Sequence, residues 1–332
     1  MFDISEIKIA ELENYVGMTK AAISKHFKSS NQGTISSNNR IVGLDPDSVA
    51  HFLLLKSDFN FSRPAITAIA NLCGGVGKTS TVTNLAAAIS RVTSRENEPV
   101  IIVDTDSQGS LSFLITGKRA RNDEPILIDY IEGKSTLSDI ITPIGHNVFL
   151  IKSNLNSAFL DKTLSRPADI KNVMLKFYKE VFQLLGEKTK IFQDHTPQLS
   201  NLFASTICGM QQLSADILCN VLIPLRSDDF ALQGGKYIIG EIDEIEDTYS
   251  FHRDNIRKNC FFSSLDRRIS TTSKALQKAM SDDVISKYIA PVVIRYCAEL
   301  PKCIDSHTNV FSSGKKSNAT VDYQELLQYI FS

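Results

Sequence analysis

Short apolar runs at 65–70, 99–104, 148–151, 190–194, 221–224, 259–262 and 290–294 recur along the chain, with stretches of helical periodicity between them. Runs this short, such as Val100-Ile101-Ile102-Val103, fit strands buried on both faces better than helices. Their alternation with helices predicts an α/β fold: a mostly parallel twisted sheet with helices on both faces. A last helix, capped at Thr320 and using Tyr323, Leu326, Leu327 and Ile330, is expected to pack back on that sheet.

The first 62 residues are patterned differently and predict a small helical domain, 1–62, ahead of the α/β domain, 63–332. Residues 9–16 form a short amphipathic run, Gly17 supplies a turn, and residues 18–27 form a second helix with Thr19 as N-cap. Leu12, Val16, Met18, Ile23 and Phe27 stand at the apolar positions of a helix-turn-helix, while Glu13 departs from the pattern, since a small residue usually packs there. Thr19, Lys20, Ser24, Lys25 and Lys28 give the second helix an exposed face without one acid, suited to a DNA major groove. An amphipathic hairpin used for dimerisation is the alternative. Residues 29–39 read as a loop or small wing, and Asp45 with Pro46 starts a third helix that uses Val49, Phe52 and Leu53.

Composition narrows the setting. The 332 residues hold material for one large domain and a smaller one, and no apolar run approaches the ~20 residues of a membrane span. The N-terminus lacks a signal-peptide charge pattern, so a cytoplasmic location is expected. Six cysteines without a C-x-x-C pair read as reduced thiols. A net charge of −1 conceals a basic stretch, because residues 253–316 carry twelve Lys/Arg against six Asp/Glu. An excess of that size can form a phosphate-binding patch, here assigned to Arg267, Arg268, Lys274 and Lys278; a solvated mixed surface would show the same composition.

The candidate chemistry lies between the first strand run (65–70) and the helix-like run 79–89. In Asn71-Leu72-Cys73-Gly74-Gly75-Val76-Gly77-Lys78-Thr79-Ser80, three glycines let the backbone approach an anion and the amides at the helix start point at it. Gly74 to Ser80 would cradle phosphates, with Lys78 on the β- and γ-phosphates and the Thr79 hydroxyl on Mg²⁺. Leu72 stands where the strict pattern has its first glycine. The second strand run delivers Asp104-Thr105-Asp106-Ser107-Gln108-Gly109 at its C-terminal end, where open α/β sheets place ligands.

These two segments resemble the ParA/MinD family of partition and positioning ATPases (deviant Walker A, SIMIBI class), with patterns K-G-G-x-G-K-T-T and D-x-D-P-Q. The resemblance continues through Lys190-Ile191-Phe192-Gln193-Asp194 as a Walker B strand, Val221-Leu222-Ile223-Pro224 with the following Phe230-Ala231-Leu232-Gln233-Gly234, and Leu265-Asp266-Arg267-Arg268. It implies ATP and Mg²⁺ as cofactors: Thr79 and Asp194 for the metal, Asp106 positioning the attacking water, and Asp104 behind the metal. It also implies an ATP-bound homodimer, nonspecific DNA binding, a ParB-like adaptor and a nucleoid-associated role in plasmid or chromosome partition. The N-terminal domain would add operator binding and autorepression. The family's interface lysine corresponds to Cys73, which carries no positive charge, so Lys236 and Arg226 become candidate replacements. Two alternatives share the sequence features: a nucleotide-controlled transcriptional regulator with little hydrolysis, and an ATPase that positions a protein cargo.

Overall fold

The computed structural model describes residues 2, 4–30, 33–37, 40–251, 255–266, 268 and 270–332. The amino-terminal module consists of α1 (Ile9–Val16), α2 (Lys20–Ser30), an antiparallel hairpin of β1 (Thr34–Ser37) and β2 (Arg40–Leu44), and α3 (Pro46–Lys56). Gly17 ends α1 at φ 59°, a conformation open to glycine, and so permits the tight turn into α2. Asp45 caps α3 as its sequence predicts, accepting from Ser48 N at 2.9 Å. The polar segment 29–39, predicted as loop or wing, supplies β1 of this hairpin, and β2 follows it.

The α/β layer runs β3 (Ala65–Ile69), α4 (Lys78–Ser90), β4 (Val100–Asp104), α5 (Ser110–Thr116), two short helices α6 (Leu127–Ile131) and α7 (Leu137–Ile140), β5 (Ile141–Gly145) and β6 (Val148–Ile151). It continues through α8 (Leu160–Thr163), α9 (Pro167–Leu185), β7 (Lys190–Asp194), α10 (Asn201–Gln211), β8 (Leu218–Leu225), α11 (Asp229–Thr248) and β9 (Ile256–Leu265). The chain closes with α12 (Ser270–Met280), β10 (Ile289–Arg295), α13 (Glu299–Asp305) and α14 (Asn318–Ile330).

The strands lie in the order β10-β9-β8-β3-β7-β4-β6-β5, all parallel except β5, which runs antiparallel to β6. This is the α/β architecture that the alternating runs predict. The edge strand β5 was not among the expected strands, because Pro143 and Gly145 interrupt its apolar run. The last helix is capped by Ser317, not Thr320: Ser317 Oγ accepts from Thr320 N while Thr320 Oγ1 accepts from Ser317 N. Thr320 is therefore the reciprocal member of a capping box.

Alternating residues of the central strands feed two apolar layers. Ile66, Ala68, Ile191, Val221 and Ile223 pack with α9, α10 and α11 on one face. Ala65, Ile69, Phe192 and Leu222 pack with α4 and α14 on the other. That second layer also takes in Ile7, Leu12, Tyr15, Ile23, Phe27 and Phe52, so the amino-terminal module shares a core with the sheet. Arg91, which caps α4, is buried there and holds the module. It donates to the Ser5 carbonyl at 2.9 Å and the Glu6 carbonyl at 3.1 Å, and pairs with Glu11 at 2.8 Å. On the same side Asp47 accepts from Arg95 N at 3.0 Å, and Asn14 O accepts from Gln328 at 2.8 Å. Among the described residues no helix is long and apolar enough to cross a membrane.

Candidate nucleotide site

The registers of the three central strands decide what meets at their carboxyl ends. Ile69 on β3 and Asp104 on β4 both lie opposite Asp194 on β7. Asp104 and Asp194 are therefore neighbours beside the turn that leaves β3. Gly75 and Gly77 occupy that turn at φ 70° and 89°, conformations that side-chain-bearing residues avoid. Lys78, Thr79 and Ser80 begin α4, a helix whose first amides are free for an anion. The predicted phosphate cradle and both carboxylate segments thus converge on one end of the sheet.

Lys78 is buried and spans its own loop, donating to the carbonyls of Asn71 and Cys73, both at 3.0 Å. Burial lowers its pKa, while Asp194 and Asp106 nearby pull it up. Thr79 Oγ1 donates to Asp194 Oδ2 at 2.7 Å. The other oxygen, Asp194 Oδ1, is buried without a hydrogen-bond partner among the described residues. Burial, reinforced by the Asp104 charge, pushes Asp194 up to about 8, and burial also raises Asp104 to about 6. A hydroxyl beside a desolvated carboxylate with one idle oxygen fits a small hard cation such as Mg²⁺, which takes oxygen ligands and would relieve the crowding of two acids.

Asp104 itself is occupied. It accepts from Ser112 N at 2.7 Å and Ser112 Oγ at 2.6 Å, holding the start of α5, and from Asp106 N at 3.1 Å. Asp106 is half-buried, and its Oδ1 accepts from Gln108 N at 2.9 Å. The neighbouring His195 is 2 % exposed, packs edge-on against Phe203 at 5.3 Å, and neither of its ring nitrogens finds a hydrogen-bond partner among the described residues. Burial drives its pKa down to about 3, so the ring is neutral and acts in packing.

Two residues to which the motifs assign no role organise the loop. Asn71 is fully buried; its amide donates to Pro224 O at 2.9 Å and Ala231 O at 3.1 Å, and its Oδ1 accepts from Cys73 N at 2.8 Å. Ser263 Oγ donates to Val76 O at 2.5 Å and lies 3.3 Å from Leu225 O. Together they tie the cradle to the ends of β8 and β9. A buried Asn directly after a strand and before a glycine run was the available signal for the first. A serine inside a strand gave none for the second.

The candidate DNA contacts fall in two places. Lys20, Lys25 and Lys28 are exposed on α2 together with Thr19, and Ser24 is partly exposed on the same helix. Glu13, the departure from pattern, accepts from Lys20 N at 2.5 Å and so caps α2. On the carboxy-terminal side, Arg268 is bound to Asp266 at 2.9 and 2.7 Å and Lys278 to Asp229 at 2.6 Å, whereas Lys274 is exposed without an ion pair among the described residues. Arg267 lies outside the described residues. Of the two candidate cations for the missing interface lysine, Lys236 pairs with Asp282 in a cleft between α11 and α12, while Arg226 stands next to Gly75.

A curated relative, maintenance of carboxysome distribution protein A of Gloeobacter kilaueensis, is 48% identical over 52 residues, 16% of this chain and 22% of its own length. The match thus spans about a fifth of that relative. Among solved structures, a putative plasmid partition protein of Borrelia burgdorferi bound to AMPPNP superposes with a TM-score of 0.60 at 16% identity, covering 81% of this chain and 98% of that one. Cobyrinic acid a,c-diamide synthase of Mycobacterium smegmatis, with bound ADP and magnesium, gives 0.59 at 19% identity over 80% of this chain and 92% of that one. At these identities the likeness is one of fold. The AAA domain family matches residues 64–257, more than half of the chain, and the chain belongs to that family.

Proposed function

We propose that this protein is a ParA-type ATPase that binds ATP with Mg²⁺ in the turn between β3 and α4 and hydrolyses it. The observation that carries the reading is the meeting of Lys78, Thr79 and the half-unpartnered Asp194 at one end of the sheet, with Asp104 and Asp106 beside them. The Gly74–Ser80 amides and Lys78 would neutralise the phosphates, and Thr79 and Asp194 would hold the metal. The ion supplies Lewis-acid charge stabilisation when bound. Asp106, on the loop after β4, would orient the attacking water, and Asp104 keeps that loop in place through Ser112. The cavity of 480 Å³ beyond Gly75, lined by Ser263, Ser264, Asp266 and Tyr296, leaves room for a purine nucleoside.

The nucleotide state would control homodimerisation and nonspecific DNA binding, with hydrolysis stimulated by a ParB-like adaptor, in segregation of a plasmid or chromosome. The exposed lysines of α2 support a second DNA contact, at an operator. The short match to a carboxysome distribution protein favours one alternative, positioning of a protein cargo by the same ATPase cycle. The test is MgATP binding and turnover by the purified protein, with and without DNA. Uptake of MgATP with DNA-stimulated turnover supports the proposal. A protein that takes up no adenine nucleotide refutes it.

A further inference from the structure

The candidate site gathers three carboxylates, Asp104, Asp106 and Asp194, around a single loop lysine, Lys78. A triphosphate entering such a site itself brings more negative charge than Lys78 and one divalent ion offset, so a further cation at the loop would be favoured electrostatically. Arg226 is placed to supply it. It follows the last residue of β8, and its Nη1 lies 3.6 Å from where a Cβ on Gly75 would stand. The missing Gly75 side chain leaves that space open between the guanidinium and the cradle.

The backbone around Arg226 is pinned on both sides. Asn71 holds the Pro224 and Ala231 carbonyls, Ser263 approaches the Leu225 carbonyl, and Asp228 caps α11 by accepting from Ala231 N at 2.9 Å. These bonds also fix Val76 and Cys73 of the cradle, so the root of Arg226 and the phosphate loop form one braced unit. The head remains available. Its side chain is 51 % exposed, and Asp228 Oδ2, its ion-pair partner, is 3.7 Å away, a loose contact that a phosphate oxygen could outcompete. Lys236, by contrast, is engaged with Asp282 in a separate cleft.

The geometry points to Arg226 as a phosphate-binding residue of this site, contacting the triphosphate of the nucleotide held by Gly75 and Lys78 in the same chain. This rests on the proposed ATP site and names a residue that Lys78 and the glycine motif do not include. Arginine suits the role because its fixed fork of donors matches phosphate oxygens two at a time, which an ammonium cannot.

The experiment measures affinity for the nonhydrolysable analogue AMPPNP with Mg²⁺ in full-length wild type, Arg226→Gln, Arg226→Lys and, as a control cation, Lys236→Gln. Loss of one charge-assisted contact should weaken binding by roughly ten- to a hundredfold in Arg226→Gln. Arg226→Lys should recover part of it, and Lys236→Gln should bind as wild type. Thermal unfolding without nucleotide should leave Arg226→Gln unchanged, since its side chain is half exposed. Wild-type affinity in Arg226→Gln overturns the inference while leaving the ATP site intact, and so does an equal loss in Lys236→Gln. Failure of wild type itself to bind AMPPNP overturns the ATP site instead.

Discussion

Asp194→Asn should make the protein without nucleotide more stable and at the same time blind to MgATP. The wild-type carboxyl is 2 % exposed, has one oxygen without a partner among the described residues, and faces Asp104 across adjacent strands. Its pKa rises from the ordinary 3.8 to about 8. Because the folded value lies above the unfolded one, the folded protein keeps a proton that the unfolded chain releases. Stability therefore falls as pH rises from about 4 to about 8. At pH 7 roughly three pH units separate the ambient value from the unfolded pKa, which sets a ceiling of about 4 kcal/mol on the cost of keeping this group buried. Asparagine carries no charge, and its oxygen can still accept the Thr79 bond. A gain of about 1–3 kcal/mol in urea unfolding without nucleotide is expected, with a flatter pH profile between pH 5 and 8. Saturating MgATP at a hundred times its Kd should add about 2.7 kcal/mol to wild type and nothing to the variant. The reasoning is refuted if the variant is less stable than wild type without nucleotide, or if MgATP stabilises both equally.

Lys78→Ala should abolish MgATP binding and nucleotide-dependent DNA association while leaving binding to promoter DNA, measured by gel shift, intact. Gly234→Ala would set a Cβ 2.4 Å from Asn71 Oδ1 inside α11, so Asn71 must shift and release Cys73 N. A stability loss of about 1–3 kcal/mol, with weaker binding of a fluorescent ATP analogue, should follow. Lys25→Ala should weaken operator binding and lower its salt slope by about one, with ATP turnover unchanged, as titrations at several salt concentrations would show. Arg91→Met would strand Glu11 without its buried partner and should cost about 3 kcal/mol, with limited proteolysis cutting first within residues 1–62.

Local pattern explains what was legible beforehand. The strands that enclose the site are short segments built on apolar residues, and the turn and the acidic segment that leave β3 and β4 carry composition that few other structures require. What escaped depends on partners distant in sequence. Asn71 makes sense once Pro224 and Ala231 are seen beside it, and Ser263 once Val76 is. Glu13 looked like a defect in the first helix, but its carboxylate serves the start of the second. The count of basic residues over 253–316 overstated the available charge, because Arg268, Lys278, Arg295 and Lys258 each hold an acid.

The seam around Arg91 bears on how this protein can be dissected. A fragment starting near residue 63 would bare the apolar side of α4 and α14 to water, and one ending there would lose the floor beneath Leu12, Tyr15 and Phe52. Truncation would therefore damage the amino-terminal module and the α/β layer together, so their contributions are separable by surface point substitutions on an intact chain. The same continuity gives any tilt of α4 a direct mechanical route to the exposed lysines of α2.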